Sequence, residues 1–293
     1  MKLTVLIIGC GDIGTTLGRE LVSDGHRVIG VRRQADALEG TGIEPLALDL
    51  ATLDETDAAA LPQADYVIYT VSADRFEESA YQSAYPGGLK RVLGVLEQHE
   101  TPPRRIFFVS STSVYGQQEG EVVNEVSPTE STSFSGTLMR EAEQALLDHP
   151  LPGTVVRFSG IYGPGRDRLI HQVKNGRMAA ITPAIYSNRI HRDDCAGILA
   201  HLIQCQESGT SLAELYLGSD SEPATMYNVM SWLAGELKAT STDTMQSPLK
   251  RRTSKRCDNS RIRETGYQFR FPSYREGYAQ ILKEGGFLKP QNA

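Results

Sequence analysis

Three glycines near the start of the chain have the spacing of a phosphate-binding turn. The glycines follow directly after the apolar run Leu3 to Ile8 and are Gly9, Gly11 and Gly14. The last of them lies near the start of Ile13 to Leu21, where apolar residues repeat at helical spacing. Between a strand and a helix, the first glycine permits a tight turn, the second admits a diphosphate, and the third allows close packing. The helix N-terminus then offers free N–H groups to the phosphates. The pattern predicts a dinucleotide site that contains Gly9, Gly11, Asp12, Ile13 and Gly14.

The end of the predicted second strand indicates which dinucleotide is bound. This strand, Arg27 to Val31, is followed by Arg32 and Arg33. Sites that prefer NAD usually place an acidic residue about 20 positions past the first glycine, where it binds the ribose 2′-hydroxyl. Two guanidinium groups instead suit a 2′-phosphate, which they can bind bidentately. We therefore expect NADP as the cofactor, with NAD as the alternative if the arginines only lie on the surface.

Small and polar residues follow three further predicted strands. Ile43 to Leu48, Asp65 to Val71 and Arg105 to Val109 alternate with helical stretches, which is typical of a doubly wound parallel sheet. Ligands bind such sheets at the carboxyl ends of the strands. We expect the cofactor to contact the residues at these ends, which are Asp49, Leu50, Thr70, Val71, Ser72 and Ser110.

Composition and charge narrow the class of protein. The chain has 293 residues and a formal net charge of −6, which argues against nucleic acid as its partner. No apolar run approaches the roughly 20 residues of a membrane span. The four cysteines and six histidines lack metal-ligand spacing, so we expect no metal site and reduced thiols. The chain starts with a strand-forming run, and we expect no signal peptide, a cytoplasmic location, and a monomer or homodimer.

Four segments together resemble the short-chain dehydrogenase/reductase superfamily, in its extended branch of NAD(P)-dependent nucleotide-sugar epimerases and dehydratases. They read GCGDIG at 9–14, SSTSVYG at 110–116, RFSGIYGPGR at 157–166 and NRIHRDD at 188–194. The resemblance implies an α/β fold with a Rossmann doubly wound parallel sheet and a smaller C-terminal α/β substrate domain. We expect the Rossmann domain at 1–160, with one strand returning from the C-terminal half, and the substrate domain at 161–293.

The resemblance also assigns residues to the reaction centre. Ser111 stands in the position of the family's catalytic serine or threonine, and Thr112 stands where dehydratases carry an acid. We further assign Phe158 and Ile161, at the end of the strand Gly153 to Phe158 and in the loop after it, to the cofactor site.

One departure from the family's pattern concerns catalysis. Members that perform redox chemistry carry Tyr-x-x-x-Lys on the helix after the fifth strand, where the lysine lowers the tyrosine pKa and holds the ribose. Ser135 occupies the tyrosine position here, Met139 occupies the lysine position, and no Tyr-x-x-x-Lys occurs in the sequence. Arg140 is about 100° of helix rotation away from the face that the lysine needs. The chain thus resembles the atypical members, which keep the cofactor fold without this pair.

Three residues of the C-terminal half are expected to contact a small-molecule substrate. Arg166 and Asn188 supply the charge and amide donors that a sugar phosphate needs. His191 either meets the substrate or caps the helix that follows it. Tyr162 is expected to pack in its loop, with a role as the substitute acid as the alternative. The basic run from Lys250 to Arg256 is expected to lie on a solvated loop, with a nucleotide-phosphate contact as the alternative.

Two functions of different classes follow from these patterns. The first is an NADP-dependent reductase, epimerase or dehydratase that acts on a nucleotide-sugar or another small polar substrate and uses Ser111 with a non-standard acid or base. The second is a sensor that binds NAD(P) and signals through a partner. The hydroxyl cluster at 110–113 favours the enzyme, and the missing Tyr/Lys pair favours the sensor.

Overall fold

The strand-forming runs after the glycine turn assemble into one parallel sheet. The computed structural model describes residues 2–54, 56–240, 243–245 and 254–288. Its strands are β1 (Thr4–Ile8), β2 (Arg27–Arg32), β3 (Glu44–Ala47), β4 (Tyr66–Tyr69), β5 (Arg105–Ser111), β6 (Glu121–Val123), β7 (Gly153–Phe158), β8 (Gly160–Tyr162), β9 (Arg177–Ala179), β10 (Tyr186–Ser187), β11 (Arg189–His191), β12 (Leu215–Gly218), β13 (Ala224–Thr225), β14 (Asp243–Met245) and β15 (Lys255–Cys257). Seven of them form the central sheet in the order β12-β7-β5-β4-β1-β2-β3, with all neighbours parallel.

Helices cover both faces of this sheet, which confirms the predicted α/β fold with a doubly wound Rossmann sheet. The helices are α1 (Asp12–Ser23), α2 (Glu78–Gln82), α3 (Gly88–Glu97), α4 (Phe134–Leu147), α5 (Arg168–Lys174), α6 (Arg192–Glu207), α7 (Met226–Leu237), α8 (Ser260–Glu264) and α9 (Tyr274–Glu284). None of the helices in the described ranges is long and apolar enough to cross a membrane.

Alternate residues of β1 face two different hydrophobic cores. Val5 and Ile7 pack in a core with α1 and α6, whereas Leu6 and Ile8 pack in a core with α3 and α4. All four side chains are fully buried. A strand that is buried on both faces reads as a continuous apolar run, which is why Leu3 to Ile8 shows no polar alternation.

The C-terminal half contributes both to the sheet and to a core of its own. β12 forms one edge of the central sheet beside β7, and α6 packs against α1. A third core lies between α5, α7 and α9 and is built only from residues after 161. The division into domains at residue 160 stays a prediction.

A π-helical turn interrupts the helix that the sequence predicts at Tyr85 to Gln98. The helix begins earlier, at Glu78, and residues Ser83–Gly87 form the turn between α2 and α3. Pro86 lies inside this turn and has no N–H to donate to the residue four positions earlier. The missing hydrogen bond accounts for the wider turn, and such turns are frequent at functional sites.

Part of the predicted solvated loop is instead a buried strand. Residues 250–253 of the expected basic run lie outside the described residues. Lys255–Cys257 forms β15, which pairs in parallel with β6, and Lys255 and Cys257 are both buried. The Lys255 ammonium lies 6.0 Å from the centroid of the Tyr115 ring. Pairing with a strand more than 130 positions earlier buries this segment, and no local pattern signals such a contact.

A buried ion pair connects α4 to the sheet. Arg157 on β7 donates from Nε and Nη2 to the carboxylate of Glu143 on α4 at 2.8 and 2.6 Å, and both side chains are buried. The same carboxylate accepts from the hydroxyl of Ser110 on β5, and Arg157 Nη1 donates to the Tyr115 hydroxyl at 3.0 Å. The pair therefore fixes the end of β5, where the predicted hydroxyl cluster begins.

We expect Arg157→Met to destabilise the fold by about 3–5 kcal/mol, because it leaves the Glu143 carboxylate buried without its cation. Urea denaturation measures the change in the free energy of unfolding. The exposed pair Arg27–Glu44 provides a matched control, and Arg27→Met should cost at most about 1 kcal/mol. Similar losses in the two variants would contradict the role of the buried pair.

Candidate functional site

A cleft of about 980 Å³ runs along the carboxyl ends of the central strands. It is lined by the turns after β1, β2, β3 and β4, by the end of β5, and by parts of the π-turn, α4 and the loop after β8. The sequence-predicted residues in its lining are Gly9, Gly11, Asp12, Ile13, Arg32, Arg33, Asp49, Leu50, Thr70, Val71, Ser72, Ser110, Ser111, Ile161 and Arg166. Gly14, Thr112, Phe158, Asn188 and His191 do not line this cleft.

Two positions of the glycine turn have the geometry that a diphosphate site needs. Gly9 has φ +81°, and a Cβ there would lie 2.6 Å from the backbone of Val71. A Cβ at Gly11 would have no atom nearer than 3.8 Å, so the space in front of this residue is open. No side chain caps the N-terminus of α1, which leaves its first N–H groups for a ligand. The turn therefore combines a tight bend with an open anion-binding end.

The two arginines at the end of β2 both line the cleft but have different partners. Arg33 donates two hydrogen bonds to the Asp74 carboxylate, at 2.8 and 2.7 Å, and both side chains are more than half exposed. The hydrogen bonds from Arg33 hold the pKa of Asp74 below its usual value. Arg32 makes one long hydrogen bond of 3.4 Å to the Cys10 carbonyl and has no ion pair within the described residues. Arg32 is thus the arginine with charge available for a ligand.

Asp12, in the first turn of α1, is bound by two arginines from the C-terminal half. Arg166 donates to its carboxylate at 2.9 Å, and Arg192 donates at 3.1 Å. The two cations neutralise a carboxylate that would otherwise repel a diphosphate at this end of the cleft. Sequence reasoning assigned Arg166 to the substrate, whereas the structure holds it beside the glycine turn.

The serines at the end of β5 have separate roles in the hydrogen-bond network. Ser110 donates to the buried Glu143 carboxylate. Ser111 accepts from the backbone N–H of Ser113 at 3.1 Å, and its own proton has no acceptor among the described residues. Thr112 is buried behind the cleft surface. Ser111 is therefore the member of this cluster that can donate a hydrogen bond to a ligand.

The helix that carries the Tyr/Lys pair in related enzymes offers no polar group from those positions. Ser135 is buried, forms a 3.2 Å hydrogen bond with the Ser133 hydroxyl, and does not line the cleft. Met139 is buried and lines the cleft with its thioether side chain. Sequence reasoning missed Tyr85, which lines the same cleft from the π-turn. The available signal was Pro86 inside an otherwise helical stretch.

Asn188 and His191 hold together segments of the C-terminal half. The Asn188 side chain donates to the Lys255 carbonyl at 2.9 Å and accepts from the Cys257 N–H at 2.8 Å. His191 caps α6 by accepting from the Asp193 N–H at 3.2 Å, which agrees with the capping alternative. Its ring is fully buried, with the ring of Phe271 at a centroid distance of 4.0 Å. Tyr162 is likewise buried and stacks on Tyr278.

Burial of His191 predicts a specific loss of stability in acid. Desolvation lowers the pKa of this imidazole to about 4, below the ordinary value near 6.5. Between pH 6.5 and 4, the His191 imidazole is therefore protonated in the unfolded chain but stays neutral in the folded chain. His191 contributes to the free energy of unfolding above pH 6.5, and this contribution is lost as the pH falls toward 4. At most about 3 kcal/mol is involved.

We expect His191→Asn, which preserves a capping side chain, to flatten the pH dependence of the free energy of unfolding between pH 6.5 and 4. Urea denaturation at a series of pH values measures this slope. The same substitution at the exposed His171 serves as the control and should leave the slope unchanged. An unaltered slope in His191→Asn would contradict the account of this residue.

The sequence model of the NAD dependent epimerase/dehydratase family matches residues 5–210. Protein YeeZ from Escherichia coli strain K12 is 29% identical over 283 residues, which cover 92% of this chain and 96% of YeeZ. A structure from Methylobacillus flagellatus, assigned to the NAD-dependent epimerases/dehydratases, is 34% identical with a TM-score of 0.81, and the match covers 98% of this chain and 100% of that one.

Two more distant structures share the fold. Human epimerase family protein SDR39U1, solved with NADPH, is 21% identical with a TM-score of 0.76, covering 96% of this chain and 99% of that chain. UDP-glucuronic acid 4-epimerase from Bacillus cereus, solved with UDP-glucuronic acid and NAD, is 17% identical with a TM-score of 0.80 at the same coverage. Because the family match spans more than half of the sequence and includes the whole glycine turn, the chain belongs to the NAD dependent epimerase/dehydratase family.

Proposed function

We propose that the chain binds NADP in the cleft and acts as an epimerase, dehydratase or reductase on a nucleotide-sugar or another small polar substrate. The observation that carries this proposal is the convergence of three features in one cleft. These features are the glycine turn at 9–14, the Arg32 guanidinium and the Ser111 hydroxyl. Among the described residues, no side chain caps the helix after the turn, Arg32 has no ion pair, and the Ser111 proton has no acceptor.

The two ends of the cleft contact different parts of the ligands. The first-turn N–H groups of α1 hold the diphosphate, with Arg166 beside them. When bound, the nicotinamide supplies or accepts a hydride. Ser111 then donates a hydrogen bond to an oxygen of the substrate next to it, which orients the reacting carbon. The Arg157–Glu143 pair supports Ser111 from behind through Ser110.

The preference for NADP rests on the charge at the end of β2. The last residue of this strand, Arg32, and the residue after it, Arg33, are both basic, so this segment itself supplies no carboxylate for a ribose 2′-hydroxyl. Arg32 lines the cleft without an ion pair within the described residues, which suits a 2′-phosphate. The structural neighbours do not decide the choice, since SDR39U1 was solved with NADPH and the Bacillus cereus epimerase with NAD.

The nucleotide-sugar class is supported by the Bacillus cereus neighbour, which was solved with UDP-glucuronic acid. We also propose that the protein works in the reducing environment of the cytoplasm and that it is a monomer or a homodimer. All four cysteines are buried and free, which suits a reducing compartment.

The cofactor preference generates a prediction on two adjacent residues. Arg32→Ala should weaken NADPH binding by about 10- to 100-fold, which corresponds to the loss of a charged hydrogen bond, and should leave NADH binding nearly unchanged. Arg33→Ala is the matched control with a smaller expected effect, because Arg33 already pairs with Asp74. Calorimetric titration of the native chain and of both variants, with NADPH and with NADH, measures the affinities. Equal losses for NADPH and NADH would contradict the 2′-phosphate assignment.

A sensor is the second candidate, and Met139 favours it. This thioether lines the cleft at the position of the family's lysine, and Ser135 is withdrawn from the cleft, so the usual proton-transfer pair is absent. A protein that only responds to the dinucleotide does not need that pair.

Turnover distinguishes the enzyme from the sensor. The protein loaded with NADPH, or with NADP⁺ as the oxidant that an epimerase or dehydratase needs, is incubated with a panel of carbonyl compounds and nucleotide-sugars, while NADPH absorbance is followed and the sugars are analysed by chromatography. Consumption of NADPH or conversion of a sugar, abolished in Ser111→Ala, supports the enzyme. Tight NADPH binding without conversion of any compound supports the sensor.

A further inference from the structure

Tyr85 lines the cleft, and its phenol proton has no acceptor among the described residues. The residue is buried to more than nine-tenths. Its oxygen accepts from the Ala73 N–H at 3.5 Å, a long contact. A buried hydroxyl normally satisfies its donor, so this one points to a missing partner.

The wide π-turn fixes the position of Tyr85. Pro86 cannot donate the regular helical hydrogen bond to the Gln82 carbonyl. The carbonyl of Ala84, in the same turn, accepts from the buried Tyr69 hydroxyl at 2.5 Å. Gly88 leaves room for this contact, because a Cβ there would lie 2.4 Å from the Tyr69 oxygen. The backbone of the π-turn therefore determines where the Tyr85 side chain lies.

The neighbouring residues identify which part of a dinucleotide lies near Tyr85. The turns after β2 and β3 surround the adenosine end of the cleft, whereas Ser110, Ser111 and Met139 line the other end. α4, which carries Met139, packs against the π-turn that carries Tyr85. In the resemblance described above, the residue at the Met139 position is the lysine that holds the ribose. The thioether of Met139 cannot donate a hydrogen bond, so the ribose needs a donor from elsewhere.

We propose that the Tyr85 hydroxyl binds the nicotinamide ribose of the dinucleotide and replaces the hydrogen bond of the missing lysine. This inference rests on the proposed binding of a dinucleotide in the cleft. Burial raises the pKa of Tyr85 above its ordinary value, so the phenol stays protonated and acts as a donor. Tyr85 is thus a positioning residue, which orients the nicotinamide ring toward Ser111 by holding its ribose.

The test compares a whole dinucleotide with its adenosine half. Tyr85→Phe keeps the ring and removes only the hydroxyl, whose one contact in the described residues is long. We expect Tyr85→Phe to weaken NADPH binding by about two- to tenfold, which corresponds to the loss of one neutral hydrogen bond. The binding of 2′,5′-ADP should stay unchanged. Tyr81→Phe is the control, because the Tyr81 ring lies 5.1 Å from the Tyr85 ring, centroid to centroid and tilted by 55°, but does not line the cleft. It should change neither affinity.

Calorimetric titration of the native chain and both variants gives every affinity that the test needs. Unchanged NADPH binding in Tyr85→Phe overturns the inference. Equal weakening of NADPH and 2′,5′-ADP overturns it as well, because that pattern reports a distorted cleft. Failure of the native chain to bind any nicotinamide dinucleotide overturns the proposed function, and with it this inference. If the native chain binds only NADH, NADH and 5′-AMP replace the two ligands with the same expectation.

Discussion

The close approach of the turn after β1 to the loop after β4 determines the geometry of the cleft. A Cβ at Gly9 would lie 2.6 Å from the Val71 backbone, so the chain can turn there only without a side chain. This approach brings the N-terminus of α1 directly over the carboxyl end of the sheet. The turns after β2, β3 and β4 then surround the same space. The cleft follows from one contact of backbone with backbone and the parallel order of the strands.

Charge within the site is arranged around the needs of an anionic ligand. The Asp12 carboxylate at the phosphate end is bound by Arg166 and Arg192, and the Glu143 carboxylate behind Ser110 is bound by Arg157. Arg32 lines the cleft without an ion pair within the described ranges. A dinucleotide would supply the phosphate that completes this arrangement.

The sequence was informative wherever a local pattern determines the structure. The apolar run of β1 and the glycine turn have local signatures, and they lie where the sequence predicts them. The resemblance identified the hydroxyl cluster, and Ser111 lines the cleft. Periodicity and turn chemistry fix these elements without help from distant residues.

Contacts between distant segments could not be predicted in this way. The position of Tyr85 depends on a π-turn, the burial of Lys255 on pairing of β15 with β6, and the placement of Arg166 on Asp12, which lies 154 positions earlier. None of these partners is encoded in the local sequence. The same holds for Asn188, whose side chain bridges to β15 instead of lining the cleft.

Calorimetric titration of NADPH into the native chain and into Gly11→Val tests the central claim most directly. The space in front of Gly11 is open, so the valine should leave the fold intact and occupy the approach of the diphosphate. The account predicts that the native chain binds NADPH, that the variant does not, and that both unfold at the same temperature without ligand. Equal binding of NADPH by the two proteins would contradict the account, because the dinucleotide would then not lie against the glycine turn.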